Sequence, residues 1–106
     1  MSATEAHNQA NLNRSLEDGV RELATLVTDT PADRLIRFNI SCVYHCPFEG
    51  VVPEDSVARL VDRIAALHPT MEISLCDTTG NAAPDQVRRV MGRAIADHGP
   101  RFAFHG

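Results

Sequence analysis

Polar and hydrophobic residues alternate along this chain with two periods, and the two take turns. Met71–Gly80, MEISLCDTTG, shows the short period most clearly: Ile73 and Leu75 alternate with Glu72, Ser74 and Cys76, as in a strand. Leu35–Cys42 repeats the pattern, with Ile36, Phe38 and Ile40 on one face and Arg37, Asn39 and Ser41 on the other. Arg101–His105 begins a further strand, setting Phe102 and Phe104 against Arg101, Ala103 and His105. Between these stretches the period lengthens to that of a helix. Leu16, Val20, Leu23, Ala24 and Val27 form one apolar stripe, and Val57, Leu60, Val61, Ile64 and Leu67 a second. Val87, Val90, Met91, Ala94 and Ile95 form a third.

Boundary signals agree with the periods. Ser15 suits an N-cap, followed by Glu17 and Asp18 where the helix dipole favours acids. Gly19 weakens that helix, which is expected to end near Thr28, before the Asp29–Asp33 turn. Pro53 and Pro84 suit helix starts, and His68–Pro69 and His98–Gly99–Pro100 suit helix ends. His7–Arg14 is polar and Asn-rich and reads as loop. Met1–Glu5 is either an irregular start or the tail of a strand.

The expected order is strand tail, then helix and strand three times over. Such alternation with short connections predicts parallel strands joined by crossovers. Strands of an open doubly wound sheet are apolar on both faces. Here one face carries Arg37, Asn39, Ser41, Glu72, Ser74, Arg101 and His105, and a polar face needs a lumen. The pattern therefore predicts an α/β chain forming part of a (β/α)8 TIM barrel, with about three and a half β/α units where a whole barrel has eight. Residues 1–106 are expected to be a single partial domain, the middle portion of a longer one.

Composition narrows the partners. The chain has 106 residues, 43% hydrophobic, with a net charge of −4. No basic cluster points to nucleic acid or an anionic membrane, and no apolar run is long enough to span a bilayer. Three cysteines, Cys42, Cys46 and Cys76, do not form a disulfide framework, and no signal peptide is read ahead of them. A reducing, cytoplasmic compartment is expected. Cys42, His45 and Cys46 lack a second ligand pair at zinc spacing, and Cys46 reads as packing in its loop.

Asp77 stands at the carboxyl end of its strand, just before a helix, where α/β proteins place ligand chemistry. From the residues alone it is equally a turn-capping acid. Two stretches add to this. NISCVYHCPFEG, at Asn39–Gly50, and EISLCDTTGNAAPDQV, at Glu72–Val87, together resemble the hydroxymethylglutaryl-coenzyme A lyase family. ATEAHNQANLNRSLED and FAFHG are similar to that family's flanking segments, in the same order. CPFEG is the most specific piece; Asp-Thr-x-Gly is shared with isopropylmalate and homocitrate synthases and related aldolases.

The resemblance implies a lyase that cleaves 3-hydroxy-3-methylglutaryl-CoA to acetyl-CoA and acetoacetate, with Mg2+ or Mn2+ polarising the substrate oxygens. It implies a catalytic Asp77, a metal ligand at His105, and an acyl-CoA site lined by Asn11, Ser15, Ser74 and Thr78. It also implies a homo-oligomeric parent and a chain that is inactive alone, because the remaining ligands lie elsewhere. His45 and Cys76 stand where the family usually has Gly, and Asn81 and Ala82 replace the common Val-Gly. Two alternatives remain at this stage: a related condensing synthase or aldolase, and a stand-alone half-barrel acting as an assembly module.

Overall fold

The computed structural model describes residues 1–12, 15–31 and 33–106, with 11 and 12 described by backbone alone. In chain order the elements are α1 (Glu5–Leu12), α2 (Leu16–Asp29), β1 (Arg37–Ile40), β2 (His45–Cys46), β3 (Gly50–Val51), α3 (Glu54–Ala65), β4 (Glu72–Cys76), α4 (Pro84–His98) and β5 (Phe102–His105).

β1, β4 and β5 pair in parallel in that order. Met1–Ala3 adds a strand tail on the far side of β1: the Ser41 N–H donates to the Met1 carbonyl at 2.8 Å and the Ala3 N–H to the Ser41 carbonyl at 2.9 Å. With the short β2–β3 hairpin set aside as a separate pair, each strand of this sheet neighbours the next one in sequence. That is how a barrel winds, whereas a doubly wound sheet reverses direction at a switch point. The chain is a partial (β/α)8 barrel.

Register explains how polar and apolar positions separate. Phe38, Ile73 and Phe102 align across the strands, and so do Ile40, Leu75 and Phe104. Ile40, Ile73 and Leu75 are wholly buried in one core with Val57, Leu60, Val61 and Ile64 of α3 and Val90 and Ala94 of α4. Each such aliphatic side chain contributes roughly 1.5–3 kcal/mol by leaving water. The opposite, inward face carries Asn39, Ser74 and Ala103 in one row and Cys76 and His105 in the next.

The helices start as their sequences predict. The Ser15 hydroxyl accepts the Asp18 N–H at 3.1 Å, capping α2. Pro53 precedes α3 by one position, and Pro84 opens α4. Arg89–Glu54, Arg93–Asp55 and His98–Asp62 pairs, at 3.0, 2.7 and 2.6 Å, fasten α4 to α3. Arg89 and Arg93 thus join the two helices by ion pairs, and the His98 ring meets the Asp62 carboxylate through Nε2.

Other expectations are corrected. Residues 5–12 form a helix, not a loop. Its sequence lacks an apolar stripe because its fixed point is polar: the buried Asn8 side chain accepts the Ser2 N–H at 2.9 Å and donates to the Ser2 carbonyl at 2.8 Å. CPFEG lies in a short antiparallel hairpin whose two-residue strands, β2 and β3, are joined by Pro47, Phe48 and Glu49, with Gly50 left-handed at φ 76°. Arg101, set on the same face as Arg37 and Glu72 by the alternation, does not pair with them. Arg37 pairs with Glu72 at 3.3 Å, while Arg101 turns to the end of α3 and donates to the Ala65, His68 and Pro69 carbonyls at 2.7–2.9 Å. Those carbonyls sit where a helix end leaves acceptors unpaired.

Candidate active site

A cavity opens at the carboxyl ends of β1, β4 and β5, lined by Asn39, Ser41, Cys76, Asp77, Thr78, Thr79, Gly80 and His105. Strand register builds it. Cys76 lies opposite His105 on β5, and Ser41 follows Ile40, which lies opposite Leu75. The Asp77 N–H donates to the His105 carbonyl at 2.8 Å, continuing the ladder by one step. Asp77 and His105 therefore share one rim and one cavity.

The Asp77 carboxylate has local partners: it accepts the Asn81 N–H on one oxygen and the Ala82 N–H on the other, each at 3.2 Å. It is a turn-capping acid at the mouth of the site. Each oxygen keeps lone-pair capacity for a further donor. The Thr78 hydroxyl accepts the Cys42 N–H at 2.9 Å, tying the loop after β1 to the loop after β4. Cys42 is left-handed there, at φ 54°, which bends the chain over the end of β4. Burial raises the Cys76 thiol above its usual pKa. Burial, with Asp77 and Cys76 nearby, likewise pushes the Tyr44 phenol upward.

The positions expected to bind substrate divide. Thr78 lines the cavity with Asp77 and His105. Ser74 lies buried on the inward face one row below, aligned with Asn39 and Ala103. Ser15 caps α2 and does not line this cavity. The side chain of Asn11 lies outside the described residues.

The donors present do not make a site for the expected hard cation. Among the described residues, no group of three or more His, Cys, Asp or Glu side chains is placed to hold a metal ion. His105 offers one imidazole, and the Asp77 carboxylate is turned to its own loop.

No protein-family model matches the chain. Relatives do. Hydroxymethylglutaryl-CoA lyase YngG of Bacillus subtilis is 36% identical over 97 residues, 91% of this chain and 32% of that protein. A 3-hydroxy-3-isohexenylglutaryl-CoA/hydroxymethylglutaryl-CoA lyase of Pseudomonas aeruginosa is 31% identical over 99% of this chain and 35% of its own length. The crystal structure of the Bacillus subtilis HMG-CoA lyase superposes with a TM-score of 0.90 at 34% identity, covering 98% of this chain and 35% of that one. In sequence and in fold, the chain is similar to about a third of each of these hydroxymethylglutaryl-CoA lyases. An Acinetobacter baumannii HMG-CoA lyase in complex with coenzyme A and 3-methylmalate matches with a TM-score of 0.88 at 27% identity, over 98% of this chain and 34% of that one. The chain spans about a third of the length of the curated lyases it matches.

Asn39, Ser41 and Cys76 line the cavity together with Asp77, Thr78 and His105. Their signal was present in the alternation, which sets all three on the inward face near the strand ends. Tyr44 stands outside that alternation. It is wholly buried, packs on Phe104 with ring centroids 5.7 Å apart, and its hydroxyl has no partner among the described residues. No periodicity marks it, because it lies in a loop.

Proposed function

We propose that this chain is the middle portion of a lyase domain that cleaves 3-hydroxy-3-methylglutaryl-CoA to acetyl-CoA and acetoacetate, a step of leucine breakdown and ketone-body formation. The observation that carries the reading is the meeting of Asp77, Thr78 and His105 in one rim cavity, in a chain that matches those lyases in order across its length. In this retro-Claisen reaction the tertiary hydroxyl loses a proton, the carbon–carbon bond beside it breaks, and the acetyl-CoA carbanion is reprotonated. Asp77 stands where its remaining lone pairs can receive a hydroxyl or orient one. Ser74 and Thr78 supply hydroxyls along the path of an acyl chain lying in the lumen. A divalent cation, Mg2+ or Mn2+, would take most of its ligands from outside the described residues, so no step is assigned to it. Among the described residues no helix is long and apolar enough to cross a membrane. We place the parent in the cytoplasm, as a homo-oligomer.

The test is acetoacetate release from hydroxymethylglutaryl-CoA with Mg2+ or Mn2+, run on the 106-residue chain and on any longer product of the same reading frame. Release by the longer protein, abolished in its Asp77→Ala variant and absent from the chain alone, is expected. Turnover of a different acyl acceptor without acetoacetate would shift the assignment to a condensing synthase or aldolase.

A further inference from the structure

Cys42 and Cys46 are free thiols in the turn that leaves β1, and both are buried, at 0% and 1% exposure. The Cys42 thiol meets the Cys46 thiol and the Ser2 and Thr78 hydroxyls. The two sulfurs have different surroundings. The Thr4 hydroxyl lies 3.1 Å from the Cys46 sulfur, and the Phe48 N–H donates to that sulfur at 3.4 Å, with the Glu49 N–H beside it. Burial by itself raises a thiol, yet these three donors hold Cys46 below its usual pKa. Cys42 is pushed up by burial. One sulfur is thus set up as an attacking thiolate and its neighbour as a resolving thiol. The backbone at Cys42 is left-handed, φ 54°, a conformation that a non-glycine residue keeps only where its surroundings enforce it. Thr4 and Glu49, which meet the Cys46 sulfur, also line a cleft with Glu5, Val52, Pro53 and Arg59. A small molecule in that cleft arrives beside Cys46. Neither thiol lines the rim cavity, and the lyase reading uses neither.

We propose that Cys42 and Cys46 form a reversible dithiol–disulfide pair that a small hydroperoxide oxidises through Cys46. The Cys46 thiolate attacks the peroxide O–O bond and takes one oxygen, becoming a sulfenic acid, while the other oxygen leaves as water. Cys42 then attacks the Cys46 sulfur, the S–S bond forms, and the sulfenic oxygen leaves as a second water. Two thiols lose two electrons and two protons, and hydrogen peroxide gains them. A dithiol reductant reverses the change. In a reducing compartment such bonds are transient and redox-sensing. Because the Cys42 N–H donates to the Thr78 hydroxyl, the new bond would brace the loop that leads into CPFEG against the loop that carries Asp77.

The test treats the reduced full chain with hydrogen peroxide, blocks remaining thiols with iodoacetamide in denaturant, and maps tryptic peptides by mass. Cys42 and Cys46 fall in one peptide, Phe38–Arg59, and Cys76 in another, Ile64–Arg88. The first peptide should be unalkylated and lighter by two hydrogen atoms, and a dithiol reductant should restore it, while Cys76 stays open to alkylation. Cys42→Ser should halt at a Cys46 sulfenic acid that dimedone traps, and Cys46→Ser should leave Cys42 reduced. Thr4→Val should leave about tenfold less thiolate, partly offset by its greater nucleophilicity, so oxidation should slow about threefold. Far-UV circular dichroism confirms the fold of each variant. The proposal is overturned if both thiols stay open to alkylation, if Cys76 oxidises first or joins either of them, or if folded Thr4→Val reacts at the parental rate. None of these outcomes bears on acetoacetate release.

Discussion

Asn8 gives the sharpest test of the fold. Its amide satisfies both backbone groups of Ser2, at 2.9 and 2.8 Å, and both residues are buried, at 1% and 2% exposure. Asn8→Ala strands a buried donor and a buried acceptor. Each costs about 1–3 kcal/mol when left unsatisfied. Alanine returns up to about 0.7 kcal/mol of helix propensity, and water entering the vacated space recovers part of the rest. The expected net loss is about 2–3 kcal/mol, a fall in Tm of roughly 10–20 °C for a domain of this size. Asn8→Asp keeps the acceptor but loses the donor and turns a carboxylate toward the Ser2 carbonyl. It should lose about as much at neutral pH and recover part of the loss in acid, where the protonated carboxyl can donate. The assay is urea denaturation followed by far-UV circular dichroism. An Asn8→Ala variant within about 0.5 kcal/mol of the parent, the range of neutral surface substitutions, would refute the role given to this amide.

Three further outcomes follow from the structure. Tyr44→Phe removes a buried hydroxyl that has no partner among the described residues, and it should stabilise the chain by about 1 kcal/mol in the same assay. Arg101→Met strips donors from the Ala65, His68 and Pro69 carbonyls and should cost about 2–4 kcal/mol, with Arg101→Lys intermediate because an ammonium lacks the guanidinium fork. Asp55 is held below its usual pKa by the Arg93 hydrogen bond. Its folded pKa lies under its unfolded one, so its small contribution is present above the ordinary carboxyl pKa and lost as pH falls through the folded value. Arg93→Ala should flatten that part of the acid limb of a stability–pH curve, and added salt should do the same.

The barrel-like architecture could be read before any coordinates. Ile40, Ile73 and Leu75 on one face, with Asn39, Ser74 and His105 on the other, already demand a covered side and a lumen. Three helices announced themselves through apolar stripes because each buries one face in the same core. What stayed hidden depends on contacts between residues distant in sequence. Asn8 reads as a loop residue until Ser2 is known to lie beside it. Arg101 shares a strand pattern with Arg37 and Glu72, yet the carbonyls at the end of α3 outcompete them as partners. The hairpin inside CPFEG is too short for any period, and only Gly50 hints at it. At the site, alternation placed Asp77 and His105 at one end of the sheet, but it could not show that the Asp77 carboxylate faces its own turn.

The bonds that cross between the loops leaving β1 and β4 have a mechanical consequence. Cys42 reaches Thr78, Val43 reaches the Cys76 carbonyl, and Gln86 at the start of α4 reaches the Tyr44 carbonyl. These two loops belong to successive β/α steps, yet each restrains the other at three points. They deform as a slab rather than as a fringe of independent tips, and slow amide exchange at Cys42 and Val43 should rise and fall with that of the central strand. A molecule pressing on either loop is therefore registered across the whole rim.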